Sequence, residues 1–144
     1  MPSEPWPGPR RSVESLVAEL GAPAVVESCR KLLAGREVDG PIVHALGGPP
    51  ARWAVHGGAP GPDYWLRVWA LRGLLWQWDD SASGAVVRAL SDEAWRVREM
   101  AAKVVARHRV DEALDVLLEL RSDPVARVRT AASRAVTALT TQVE

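Results

Sequence analysis

Residues 97–105, Val-Arg-Glu-Met-Ala-Ala-Lys-Val-Val, decide the fold, because the same pattern returns at one fixed interval on either side. Thirty-one residues earlier stands Leu66-Arg67-Val68-Trp69-Ala70-Leu71-Arg72-Gly73-Leu74, and thirty-one later Val128-Arg129-Thr130-Ala131-Ala132-Ser133-Arg134-Ala135-Val136. The flanks keep the register: Asp80 falls on Asp111, Ser91-Asp92 on Ser122-Asp123, and Ala82 on Ala113. A fourth copy, Val25 to Leu33, aligns once ten residues are inserted within the Gly/Pro-rich stretch Gly47 to Pro62. A constant period of this size marks an array of supersecondary units, none of which buries its apolar face alone.

Each unit reads as two helices. In the third, Asp80 is placed to cap a helix over Ser81–Leu90, and Asp92 to cap a second from Glu93 to about His108. In the fourth, Asp111 caps Glu112–Leu120, and Asp123 precedes a helix with Pro124 at its first position. The second unit has a short helix over Pro41–Leu46, then Asp63 capping Tyr64–Trp78. The first has Ser12–Leu20, a Gly21-Ala22-Pro23 turn, and Ala24–Ala34. No segment alternates apolar and polar residues as a strand would. On Glu93–His108, Val97, Met100, Ala101, Val104, Val105 and His108 form one stripe, opposite Arg96, Glu99, Lys103 and Arg107. A small residue recurs at Cys29, Ala70, Ala101 and Ala132, where neighbouring helices approach.

The repeats occupy about residues 12–34, 41–78, 80–108 and 111–140, with a loop at 47–62 and a disordered arm expected at 1–11 ahead of a domain over 12–144. Composition narrows the function. Eighteen Lys and Arg against 18 Asp and Glu in 144 residues leave zero net charge, so no global basic field points to nucleic acid. A single cysteine excludes a disulfide framework and a Cys-based zinc site. No apolar run is long enough to span a membrane, and the first residues lack the apolar stretch of a signal peptide, so the expected location is cytoplasmic.

The second helix opens with Val-Arg-x-x-Ala-Ala, six residues after a turn Asp, at Asp92/Arg98 and again at Asp123/Arg129. That arrangement resembles the HEAT repeat family, and the period is close to its short bacterial HEAT-like, PBS-lyase-type units. The resemblance covers about residues 12–140. It implies an all-α, right-handed α-solenoid (an armadillo-type superhelix) of about four helical hairpins. It also implies an Asp–Arg ladder between repeats, carried by Asp92, Arg98, Asp123 and Arg129. The second repeat keeps Arg67 but has Gly61 at the Asp position, and the first has Val26 in place of the Arg.

In that family the second helices line a concave surface. The register places Lys31, Arg72, Lys103 and Arg134 in one column there, Trp65, Arg96 and Arg127 in a second, and Trp76 and Arg107 in a third. Such a basic, Trp-containing strip suits an acidic peptide or a phosphate backbone. The plainer alternative is a solvated helix face, since Glu27 precedes Lys31 and Glu99 precedes Lys103 by four residues, the spacing of helix ion pairs. Arg72 and Arg134 have Val68 and Thr130 at that position instead. Trp65, Trp69, Arg72 and Trp76 share one helix side and form either a stacking platform or a surface covered by the loop carrying Trp53; a helix apolar nearly all round favours cover.

The titratable residues point to no catalytic site. Asp79-Asp80 reads as a cap, His44, His56 and His108 lack metal-ligand spacing, and Cys29 fills a small-residue slot. The expected function is therefore a non-enzymatic protein-binding or scaffold module without cofactor or metal, binding a protein or acidic peptide. The alternative is a nucleic-acid-binding protein of the alkylpurine DNA glycosylase type, which the trio Trp76, Asp80 and Arg107 resembles. Self-association through Val136, Leu139 and Val143 is a third expectation.

Overall fold

The structure is a computed structural model describing residues 5–141; the expectations on residues 1–4 and on Val143 lie outside it. Among the described residues there are nine α-helices and no strand. The chain forms two compact units, one ending at Gln77 and the other beginning at Trp78.

The first unit holds α1 (Pro9–Leu20), α2 (Ala22–Leu33), α3 (Gly40–Gly47), α4 (Trp53–His56) and α5 (Tyr64–Trp76). Val13, Leu16, Val25, Leu32, Leu46, Leu71 and Leu74 are all buried and fill the space where α1, α2, α3 and α5 pack together. Cys29 and Ala70, the repeated small residues, are 1% and 0% exposed. Gly73 shows why small residues are needed here: a Cβ on it would meet Leu46 Cδ2 at 2.9 Å and Cys29 Sγ at 3.0 Å.

Three expectations need correction in this unit. The described part of the expected arm is ordered: α1 starts at Pro9, which tolerates the first helical turn. Trp6 donates from Nε1 to Ala45 O at 3.0 Å, the carbonyl that Ser12 Oγ also reaches at 2.6 Å. Asp63 does not cap α5; its side chain reaches Arg67 at 3.9 Å, and the helix stops at Trp76 because Gln77 turns to extended backbone. The expected loop folds partly as a 3-10 turn over Pro49–Ala51 and as α4, whose Ala54 carbonyl sits directly on Gly40, where no side chain would fit.

The second unit is two hairpins, α6 (Ser83–Ala89) with α7 (Trp95–His108) and α8 (Leu114–Leu120) with α9 (Ala126–Thr140). Helices α7 and α9, the second members of the two hairpins, pack on one another. Val97, Ala101, Val104, Val105, Leu117, Val128, Ala132 and Ala135 are 0% exposed, so the centre of the stripe read from the sequence is core, whereas its Met100 and His108 are only half-buried and Glu99, read on the opposite face, is buried. Each hairpin's first helix begins with a 3-10 turn, Asp80–Ala82 or Asp111–Ala113. Asp79, not Asp80, caps the first, accepting the Ser81 N–H at 2.7 Å, and the turn at Asp111 has no side-chain cap. The second helices each start two residues later than expected. Asp92 accepts the Ala94 N–H, and Asp123 the Val125 N–H, both at 2.9 Å, closing turns that keep Glu93 and Pro124 outside the helix.

Candidate functional site

In the second unit, Arg96, Glu99, Lys103 and Arg107 recur along one side of α7, and Arg127 and Arg134 lie on the neighbouring α9. Glu99 is 8% exposed and organises this face. Arg127 grips it with both arms of its fork, Nε to Oε2 at 2.8 Å and Nη2 to Oε1 at 3.0 Å. Lys103 Nζ is 3.9 Å from Glu99, in the helical spacing expected. Bidentate geometry fixes the Arg127 guanidinium beside Trp95, whose ring lies 5.1 Å from it and 4.4 Å from that of Arg96. Trp95 is therefore a half-buried aromatic flanked by two cations, with Lys103, Arg107 and Arg134 exposed further along the same two helices.

The ladder residues also meet. Arg98 donates through Nε and Nη2 to Asp123 at 2.9 and 3.2 Å, and through Nη1 to the carbonyls of Asp92 and Glu93. Arg129 makes the same turn contacts one repeat on, to Asp123 O and Pro124 O. Burial pushes the Asp123 carboxyl up, but the Arg98 hydrogen bond, the Val125 N–H and the charges of Arg98 and Arg129 outweigh it and hold the group below the usual carboxylate range.

The basic residues of the first unit sit differently. Lys31 lines a shallow pocket with Ser28, Glu37 and Asp39, while Glu27 pairs with Arg30 at 3.2 Å rather than with Lys31. Arg72 is half-buried: Nη2 donates to Leu46 O at 2.6 Å, and the guanidinium lies 5.4 Å from the Trp6 ring. Because α5 is apolar nearly all round, Arg72 lies among aromatic rings instead of on a solvated strip, and burial lowers its pKa. Trp65 stacks against Trp69 at 6.4 Å and meets Tyr64 at 5.3 Å. Trp76 carries Arg10 at 5.6 Å from its ring.

The end of α3 covers Trp69 so closely that a Cβ on Gly47 would stand 2.7 Å from its ring, and 2.6 Å from the Ala51 Cβ of the inserted segment. Cover is incomplete, however: a cavity of about 480 Å³ remains between Trp53, Trp65, Trp69, the prolines of the loop and Arg72. Neither Trp95, Trp6 nor the Arg127–Glu99 pair was recognised as a site feature from sequence. The pair had a readable signal, since a separation of 28 is the period less one helical turn, which places two residues side by side on neighbouring second helices.

Asp80 accepts the Trp78 indole N–H at 3.1 Å, and Trp78 stacks on His108 at 4.5 Å. His44 and His56 meet edge to face at 6.3 Å, but among the described residues no three metal-ligating side chains gather. Burial pushes the Cys29 thiol up to about 12, the behaviour of a core residue rather than a nucleophile.

Hairpins recurring at 31 residues, with small residues at their contacts and an Arg of one repeat bonded to the turn Asp of the next, define a helical-repeat protein. A family model of HEAT repeats matches residues 58–137, more than half of the chain, and the chain belongs to that family. No curated protein and no solved structure matches it. HEAT repeats in general mediate protein interaction and scaffolding and are typically non-enzymatic. No described helix is long and apolar enough to cross a membrane.

Proposed function

We propose that this protein is a non-enzymatic interaction module that docks an acidic segment of a protein partner along α7 and α9. The observation that carries the reading is Trp95 set between the Arg96 and Arg127 guanidinium groups, 4.4 and 5.1 Å from its ring. A flat, half-buried aromatic offers contact area at low entropic cost, and the cations beside it select carboxylates. Lys103, Arg107 and Arg134 extend the positive potential along the same helices, so a peptide carrying several Asp or Glu residues is the matching occupant. Glu99 sets register: by engaging Arg127 through Nε and Nη2 it fixes that guanidinium beside Trp95.

The glycosylase reading draws less support. Its carboxylate, Asp80, is already a hydrogen-bond acceptor for Trp78 and belongs to a 3-10 turn. Fluorescence anisotropy with a fluorescein-labelled, Glu-rich peptide tests the proposal. Arg96→Glu with Lys103→Glu and Arg134→Glu is expected to weaken binding by at least about tenfold, with helical circular dichroism unchanged. Undiminished binding by that triple variant moves the interface elsewhere.

A further inference from the structure

The cavity in the first unit is independent of the α7–α9 face and has its own chemistry. Its long wall is one side of α5, where Trp65, Trp69 and Arg72 follow at intervals of four and three residues. The opposite wall comes from the inserted segment, with Trp53, Pro60 and Pro62 facing the helix side. At about 480 Å³ the space falls within the range that holds a small organic molecule. Three indoles and a run of proline rings make flat apolar walls, which favour a planar body over an extended backbone.

Charge at the two ends is opposite. Asp63 lies at the start of α5 and Arg72 nine residues on, about 13 Å away along a helix rising about 1.5 Å per residue. Asp63 is largely exposed, its side chain at 88%, so water screens it. Arg72 is half-buried, has no carboxylate within ion-pair distance among the described residues, and keeps Nε buried without a hydrogen-bond partner. Beside the Leu46 carbonyl and the Trp6 face, this half-buried guanidinium has no anionic partner among the described residues, and an anion in the cavity is the group that would pair with it. Its lowered pKa states the same cost, though an arginine so placed stays charged at neutral pH.

We propose that this cavity binds a small planar aromatic anion, its ring system between Trp65, Trp69 and Trp53 and its carboxylate at Arg72. The backbone explains how the site is held open. Gly47, at the end of α3, admits both Trp69 and Ala51 of the 3-10 turn to close contact, and Gly40 lets α4 sit on the start of α3, so the inserted segment is pinned against α3 at Ala51 and Ala54 while its proline-rich end spans the gap.

The test uses the full chain and two probes of one shape, naphthalene-2-carboxylate and 2-naphthalenemethanol, titrated while following the seven tryptophan indole N–H signals by NMR. Saturable shifts centred on Trp53, Trp65 and Trp69 are expected, with the carboxylate binding about tenfold tighter than the alcohol. Arg72→Gln should bring the two probes to similar affinity. Since Arg72 also bonds Leu46 O, Trp65→Leu provides a second variant, expected to weaken both probes by about fivefold or more. Equal affinity of the wild-type chain for both probes, or shifts confined to Trp95 and Trp76, overturns the proposal. So does full-strength binding by Trp65→Leu.

Discussion

At the scale of single residues, two short ion pairs, Arg98–Asp123 at 2.9 Å and Arg127–Glu99 at 2.8 Å, tie the second unit across repeats. Arg98 and Asp123 have side chains only 15% and 5% exposed, and each satisfies the other alongside turn carbonyls or a backbone N–H. Removing one partner leaves a desolvated charge, so Asp123→Asn is expected to cost about 3 kcal/mol in urea unfolding at neutral pH. The pH dependence has a fixed sign. Asp123 titrates lower in the folded than in the unfolded chain, so its contribution is present above the ordinary carboxylate range and is lost as pH falls through the lowered folded value. The gap between wild type and Asp123→Asn should therefore close on acidification; a gap constant down to strongly acidic pH contradicts the assignment. Legibility follows the same division. The Asp and Arg of each motif could be read from spacing, whereas Trp95 could not, because its register positions hold Tyr64 and Ala126 and form no column.

At the scale of elements, the repeat predicted the second helices best, since α5, α7 and α9 carry the 31-residue pattern in their buried faces. The ends were less legible. The 3-10 turns at Asp80 and Asp111 and the Asx-type turns at Asp92 and Asp123 shift each start by a few residues without altering the apolar period. The α4 insertion and the docking of Trp6 escaped notice because both depend on contacts with α3, through Gly40, Ala45 and Gly48, that no local pattern encodes. The meeting of α2, α3 and α5 at Gly73 gives a direct test. Gly73→Ala should gain about 1 kcal/mol of helix propensity yet lose about 2 kcal/mol by crowding Leu46 and Cys29, both nearly fully buried, for a net loss of about 1 kcal/mol. Pairing it with Cys29→Ala removes the Sγ from the clash, so the double variant should be more stable than the sum of the two single changes, as a denaturant double-mutant cycle would report. Strict additivity would mean that α2 and α5 do not meet at this point.

At the scale of the whole molecule, the distribution of charge matters more than its total. Sixteen arginines and two lysines are balanced by 18 acidic residues, so the long-range field that draws a protein to duplex DNA is lacking. Two environments nevertheless concentrate positive charge: the α7–α9 face, where Glu99 offsets only part of it, and the half-buried Arg72. The first needs several carboxylates displayed along a chain; the second needs one anion on a flat body. Neither requires the phosphate spacing of a duplex. Phosphate contacts make log K fall with log salt at a slope near −0.9 per contact, so a protein built for DNA that uses its exposed Arg and Lys would show a steep slope. Here the full chain is expected to bind a duplex of about 20 base pairs no tighter than roughly 10⁻⁵ M at physiological salt, with a slope shallower than about −3. Excision of alkylated bases should stay at background in the same samples. Release of an alkylpurine would require Asp80 to leave Trp78, and either that or a slope near −6 would replace the peptide-docking reading with a nucleic-acid one. Charge balance thus places the burden of recognition on local geometry, and salt titration of the intact protein measures which geometry carries it.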